Sequence, residues 1–301
     1  MLTRVRTAVT ALVAAGLLAG CAPAPDQNSG LDVGADVVSP VAKDEAVAAL
    51  LPPEVREAGV LRFGSSIGSP PSAFHLPDNR TAVGLDIDIT DAVARVLGVR
   101  VEREEAAFEA ILPALGSGKF QVGTGNFGVT EERRKTIDFV TYIDDGQGFA
   151  VRQDSDLAPV TDIAQLCGRI VGTGAGTTFE STLNAQVHRC AEAGLPPYQV
   201  QVFSEQSAYY SALRQGKIDV LMSTINGLRH ATSQQPNLRF LNEFRRLDVG
   251  FALAKGSPLA PALQAAVNKL IADGTYQRIL HKWGVEPSAI ETSQISPPEL
   301  R

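Results

Sequence analysis

Residues 122–135 run VGTGNFGVTEERRK. Val122 closes a short apolar strand, and Gly123, Gly125 and Gly128 keep side chains out of the corner that follows. Thr130 is a good N-cap for a helix. Glu131 and Glu132 occupy its first turn, where the helix dipole favours negative charge. Arg133, Arg134 and Lys135 follow at once and oppose that dipole. Two readings stand: a solvated charge cluster, or an arginine held beside backbone N–H groups at a strand's carboxyl end as a carboxylate clamp.

The strand-to-helix alternation extends on both sides. Upstream, residues 60–64, 99–102 and 120–123 read as strands. Helices at 84–97 and 108–115 separate them, and residues 45–58 read as a short helix interrupted at Pro52-Pro53. Downstream, residues 139–152 (FVTYIDDGQGFAVR) read as one long extended segment. Strands at 169–172, 200–203 and 218–222 alternate with helices at 162–166, 179–193 and 207–215. Residues 247–254 are extended again, and helices at 258–273 and 275–282 end at Trp283. Such alternation predicts an α/β fold with a mostly parallel sheet covered on both faces.

The chain has 301 residues, a formal net charge of -6 and three cysteines. Arg4 and Arg6 precede an apolar run over 8–18, too short to span a bilayer and suited to a signal peptide. Leu18-Ala19-Gly20-Cys21 resembles the lipobox of bacterial lipoproteins, whose cysteine is lipidated; an ordinary signal peptide with a chance cysteine is the alternative. Residues 1–20 are thus expected to be a signal peptide and 21–45 a lipidated tether. That tether is rich in Pro, Gly, Asp and Ser and poor in large apolar residues. The protein would then sit on the outer face of the cell membrane. No basic tract is present, which argues against nucleic acid as a partner. Cys167 and Cys190 remain, an even pair that reads as a disulfide in an oxidising compartment. His75, His188, His230 and His281 are scattered without metal-ligand spacing, so no metal or cofactor is expected.

One internal echo stands out. Residues 114–122 (ALGSGKFQV) match residues 212–220 (ALRQGKIDV). Both read as a helix end, a Gly-Lys turn and a strand. Counting on from each valine, Asn126 corresponds to Thr224. Ligands in open α/β sheets sit beyond the carboxyl ends of strands, so two facing units would put Asn126, with Arg133 nearby, opposite Thr224. The echo is also compatible with a common helix–strand turn and no symmetry.

Several motifs in order now carry a resemblance: residues 61–64 (LRFG), 84–88 (GLDID), 108–115 (FEAILPAL), 130–135 (TEERRK) with Asp138-Phe139, and 273–276 (DGTY) followed by Lys282-Trp283. Over residues 50–283 the chain resembles the family 3 extracellular solute-binding proteins, the polar amino-acid receptors of ABC importers. Cys167 with Cys190 looks like the disulfide-bearing actinobacterial lipoprotein branch. The resemblance implies a two-lobed periplasmic-binding-protein-like fold (type II), each lobe a mixed, mostly parallel sheet flanked by helices, joined by two crossover strands. Lobe 1 would comprise 46–150 and 247–285, lobe 2 residues 151–246, with a tail at 286–301. It implies closure around a ligand, a monomer, and delivery to ABC permease and ATPase subunits.

The implied ligand contacts carry over unevenly. Arg133 matches the arginine that grips the ligand carboxylate, and Phe108 an aromatic that packs on the ligand. Gly125 and Asn126 match positions with a backbone or side-chain contact, and Thr178 a hydroxyl and N–H donor. Phe108 is equally readable as core and Thr178 as a helix cap. The family usually has an Asp at Thr224, pairing with the ligand's α-ammonium. Many members also have an Asp at Ser66 and an aromatic at Ser69 or Ser72. Either another carboxylate compensates, with Asp144 and Asp145 the nearest candidates unless they are a solvated pair, or the ligand lacks a free α-ammonium.

The expectation is a binding lipoprotein for a small carboxylate-bearing solute, a polar amino acid or a derivative, and not an enzyme. One alternative is an enzyme on the same fold, similar to cyclohexadienyl dehydratase, for which Glu180 or Glu205 would be the general acid. Another is a sensor that relays ligand occupancy to a receptor.

Overall fold

A computed structural model describes residues 31–300. The expected signal peptide and Cys21 lie outside the described residues. The chain opens with helices α1 (Glu45–Ala48) and α2 (Pro53–Ala58), then β1 (Val60–Ser65), a small hairpin of β2 (Phe74–His75) and β3 (Ala82–Val83), and α3 (Leu85–Leu97). It continues through β4 (Arg100–Glu105), α4 (Phe108–Gly116), β5 (Val122–Gly128), α5 (Glu131–Arg134) and the long β6 (Ile137–Arg152). Next come β7 (Ile170–Gly174), α6 (Thr178–Gln186), α7 (Arg189–Glu192), β8 (Gln199–Phe203), α8 (Gln206–Arg214), β9 (Val220–Thr224) and α9 (Ile225–Gln234). The long β10 (Leu238–Ala254), α10 (Ala260–Ala272) and α11 (Thr275–Lys282) complete the fold.

The fold is a two-lobed mixed α/β architecture. In the first lobe β1 lies between β4 and β5, parallel to both. In the second, β7 lies between β8 and β9 in the same way. β6 and β10 run antiparallel to each other from Ile137↔Ala254 to Arg152↔Leu238, and so pass through both lobes. β10 carries β5 on its flank and β6 carries β9, which makes one hydrogen-bonded sheet of eight strands in the order β4-β1-β5-β10-β6-β9-β7-β8.

The period-two alternation of strand side chains loads both faces with apolar residues. On β6, Phe149 and Val151 join a cluster with Leu166, Leu183 and Cys190, while Ala150 packs with Tyr210, Leu213 and Leu228. In the first lobe Phe63, Val140, Tyr142, Phe251 and Trp283 share the largest cluster, and Phe139 faces the other way with Ile111 and Phe127. Cys167 and Cys190 form a disulfide that ties the turn before β7 to α7.

The internal echo is structural. α4 and α8 both end in a glycine turn with left-handed backbone, φ 75° at Gly118 and 70° at Gly216. The strands that follow begin at Val122 and Val220.

Some boundaries differ from the sequence reading. The glycines at 123–128 do not form a corner; they belong to β5, because β1 and β10 supply hydrogen-bond partners on either side. α5 is a single turn, and the helix expected over 179–193 breaks into α6 and α7. α9 has no counterpart in the sequence reading, and β10 starts nine residues earlier than the 247 expected. The added length of β10 is set by its partner: Phe240 and Arg245 pair with Ala150 and Gln147 of β6. From residue 31 on, the segment read as tether packs along the first lobe. Val33, Val37, Val38 and Val41 touch its core, and Arg95 donates to the carbonyls of Ser39 (2.5 Å) and Val41 (3.1 Å). The C-terminal tail bridges Val140 through Ile295 and reaches Arg245 through Glu299 (2.9 Å).

Candidate functional site

All six parallel strands end at one inter-lobe cleft, with a cavity of about 280 Å³. Its walls are the residues just beyond or within those ends: Ser66–Ser69 after β1, Glu105–Phe108 after β4, Gly125 and Asn126 of β5, Gly174, Ala175 and Thr177–Phe179 after β7, Phe203–Gln206 after β8, and Ser223 and Thr224 of β9. Of the expected contact residues, Ser66, Ser69, Phe108, Gly125, Asn126, Arg133, Thr178 and Thr224 all line this cavity.

The three cations of the 122–135 stretch divide. Arg134 pairs with Glu131 at 2.7 Å, and Lys135 with Glu132, both three residues earlier. Arg133 has no carboxylate partner among the described residues. Its backbone N–H donates to the Thr130 hydroxyl at 3.2 Å. Its Nη1 donates to the Gly128 carbonyl and its Nη2 to the Gly176 carbonyl, each at 3.1 Å. The guanidinium carbon lies 5.8 Å and 5.9 Å from the ring centroids of Phe108 and Phe127, which stack on each other at 4.6 Å. Burial pushes the Arg133 pKa down to about 10. A guanidinium in that state carries unused N–H donors and attracts an anion. Phe108 is both things the sequence left open: it stacks on the core residue Phe127 and forms a cleft wall.

Gly125 has φ 153°, and a Cβ there would lie 2.9 Å from that of Ser66, so glycine is required where β5 passes the first loop. Asn126 adopts a left-handed φ of 58°. Its Nδ2 donates to Asp145 Oδ2 at 2.7 Å, and its Oδ1 is buried without a partner. Asp145 is therefore not on the cavity wall. It is wholly buried behind Asn126, and its Oδ1 accepts the backbone N–H of Asn226 in the first turn of α9 at 3.1 Å. Burial raises its pKa to about 6. Asp144 does not line the cavity either; burial raises its pKa, offset by Arg246.

Thr224 caps α9: its Oγ1 accepts from the Gly227 N–H at 3.1 Å, which leaves the hydroxyl proton free. Thr178 is the first residue of α6, and the cap is Thr177, whose Oγ1 accepts from the Glu180 N–H at 3.2 Å. Gln147 of β6 donates to the Thr182 hydroxyl at 3.1 Å, tying the crossover to α6.

The sequence reading did not find Tyr209, Phe203 or Glu105 as cleft residues. Tyr209 is a buried position whose role shows only in three dimensions, and Glu105 is tied to His75 at 3.0 Å. Asp86 appeared only inside a motif. It is fully buried, accepts the Tyr142 hydroxyl at 2.8 Å, and burial raises its pKa to about 7. Of the two glutamates considered as acids, Glu180 accepts the Gly176 N–H at 2.8 Å. Glu205 lines the cavity, solvent-exposed, with no side-chain partner among the described residues. No group of three or more His, Cys, Asp or Glu among the described residues could hold a metal ion.

Comparison with known proteins agrees with this geometry. The arginine-binding protein ArgT of Corynebacterium glutamicum is 28% identical over 253 residues, 83% of this chain and 82% of that protein. The L-cystine-binding protein TcyJ of Escherichia coli is 27% identical over 234 residues, 76% of this chain and 84% of that one. Among solved structures, an ancestral arginine-binding protein bound to arginine superimposes with a TM-score of 0.68 at 32% identity, covering 75% of this chain and 98% of that one. The ancestral amino acid-binding protein AncCDT-1, a precursor of cyclohexadienyl dehydratase, gives a TM-score of 0.66 at 26% identity, with 76% and 97% covered. The family description matches residues 61–286. The chain belongs to the bacterial extracellular solute-binding proteins, family 3.

Proposed function

We propose that this protein is the solute-binding lipoprotein of an ABC importer. It captures a small carboxylate-bearing solute, an amino acid or a derivative, by lobe closure and delivers it to the permease and ATPase subunits. The observation that carries this reading is Arg133: a cation in the cleft, without a carboxylate of its own, placed between two lobes that both offer N–H and hydroxyl groups. A cavity of about 280 Å³ is of the size of a small metabolite. The amino-acid-binding relatives support the same solute class. Cys21 would carry the lipid and hold a monomer at the outer face of the membrane.

The test is a thermal-shift and calorimetric screen of the protein lacking residues 1–21 against small carboxylates, with Arg133→Ala as the control. Stabilisation of the wild type by one class of carboxylate, lost in the variant, is the expected result. A ligand bound equally well by both proteins removes the carboxylate assignment. A glutamate acid for elimination chemistry has weaker support, because Glu180 is spent on a backbone N–H and Glu205 is solvated.

A further inference from the structure

We propose that Asp145, one layer behind the cleft wall, supplies through Asn126 the negative charge for an ammonium group on the ligand. This rests on the reading above and names the solute more narrowly, as a free amino acid. Asn126 links the two: it lines the cavity, and its Nδ2 is fixed on Asp145, which leaves its Oδ1 to other donors. That oxygen is buried and has no hydrogen-bond partner, a state that costs free energy until a donor arrives. An amide whose N–H₂ is bonded to a carboxylate has its oxygen polarised toward greater negative charge, and that oxygen accepts from a cation more strongly.

The one cation among the described residues that acts on Asp145 is Arg246, which lowers its pKa less than burial raises it. No ion pair reaches Asp145 or Asp86 among the described residues. Asp86 and Tyr142 face it from α3 and β6, and Asp144 is its neighbour in the chain. Arg246, on the paired strand β10, is committed to Glu243 at 2.7 Å and 2.9 Å. Thr224 cannot substitute, because its hydroxyl is uncharged and one of its lone pairs is already used by the Gly227 N–H. A ligand ammonium at Asn126 would complete the buried group, and the raised pKa of Asp145 would fall when it does. Binding near pH 6 would then release a proton.

The experiment is titration calorimetry of the standard L-amino acids and their des-amino counterparts, in two buffers of different ionisation enthalpy, on the wild type and Asp145→Asn. The expected result has several parts. An amino acid binds the wild type with proton release near pH 6. Its affinity falls by up to about tenfold per pH unit below that. It binds the variant roughly 10- to 100-fold more weakly and without proton release. Its des-amino counterpart binds both proteins alike. Asp86→Asn and Glu205→Gln retain the proton release. A des-amino acid that binds the wild type as tightly as the amino acid overturns the inference and leaves the carboxylate receptor standing. So does proton release that survives in Asp145→Asn, which would move the charge to His75 with Glu105 or to Asp86. Failure of every carboxylate in both panels overturns the proposed function itself. If Asp145→Asn does not fold, the buffer dependence in the wild type, compared between the amino acid and its des-amino counterpart, decides alone.

Discussion

Arg133 of the first lobe donates Nη2 to the carbonyl of Gly176 in the second, at 3.1 Å. The contact is close on both sides: a Cβ on Gly176 would lie 2.8 Å from that of Glu109. The residue proposed to hold the ligand thus also spans the two lobes through one guanidinium.

Arg133→Ala is expected to abolish binding with little loss of fold. Its side chain touches the cleft, two aromatic faces and two carbonyls, and no ion pair depends on it. Losing one partner of a desolvated charge pair costs about 2–5 kcal/mol of affinity. Calorimetry beside a thermal melt checks both halves; a melt far below wild type would mean that the bridge to Gly176 is structural.

Gly146→Ala should destabilise the hinge. Gly146 has φ 144°, and a Cβ there would lie 2.1 Å from the Arg245 carbonyl oxygen on the paired crossover strand. Strain of this kind is on the order of 1–3 kcal/mol, which in a chain of this size lowers the melting temperature by several degrees. Differential scanning calorimetry reads it directly.

Reduction of the Cys167–Cys190 disulfide should lower the stability of the second lobe. It closes a loop of 23 residues, worth roughly 3 kcal/mol in the chain-entropy model. The melt with and without reductant, compared with the Cys167→Ser, Cys190→Ser double variant, should agree. Unchanged melting in both would show that the packing of Leu166 and Leu183 suffices.

Asp86→Asn should stabilise the protein at alkaline pH more than at acid pH. In the folded chain burial raises the Asp86 pKa to about 7 from 3.8, so the folded state holds the proton more tightly than the unfolded one. The cost of ionising it is absent below about pH 4, grows as pH rises, and is complete above about pH 7. A neutral amide removes it. The expected gain is on the order of a few kcal/mol at pH 8, vanishing near pH 4. A pH-independent difference between the two melts would place the ionisation elsewhere.

Much of this architecture was legible in the chain. The repeated Ala-Leu-x-x-Gly-Lys turn and the alternation of strands with helices follow from local rules of backbone freedom and side-chain period. They placed Arg133, Asn126 and Thr224 around one cleft before any coordinates. What the sequence reading did not resolve was the stretch over 225–246. Ile225, Leu228 and Ala231 do share one face of α9, but the front of β10 forms because β6 pairs with it. β5 likewise shows how long-range pairing, here with β1 and β10, can hold a glycine-rich segment straight.

The sequence by itself determined the alternation of strands and helices, the repeated helix–strand turn and the cysteine pair, because each depends on residue type and spacing along the chain; the two lobes came with the family resemblance. The tertiary structure alone decided that Asp145 stands behind Asn126 and not on the cavity wall, that Arg133 is the one member of its cluster without an acid among the described residues, and that the Thr224 hydroxyl caps α9. Those are questions of which partner a polar atom finds across the fold, and hydrogen bonding between distant residues leaves no period in the sequence.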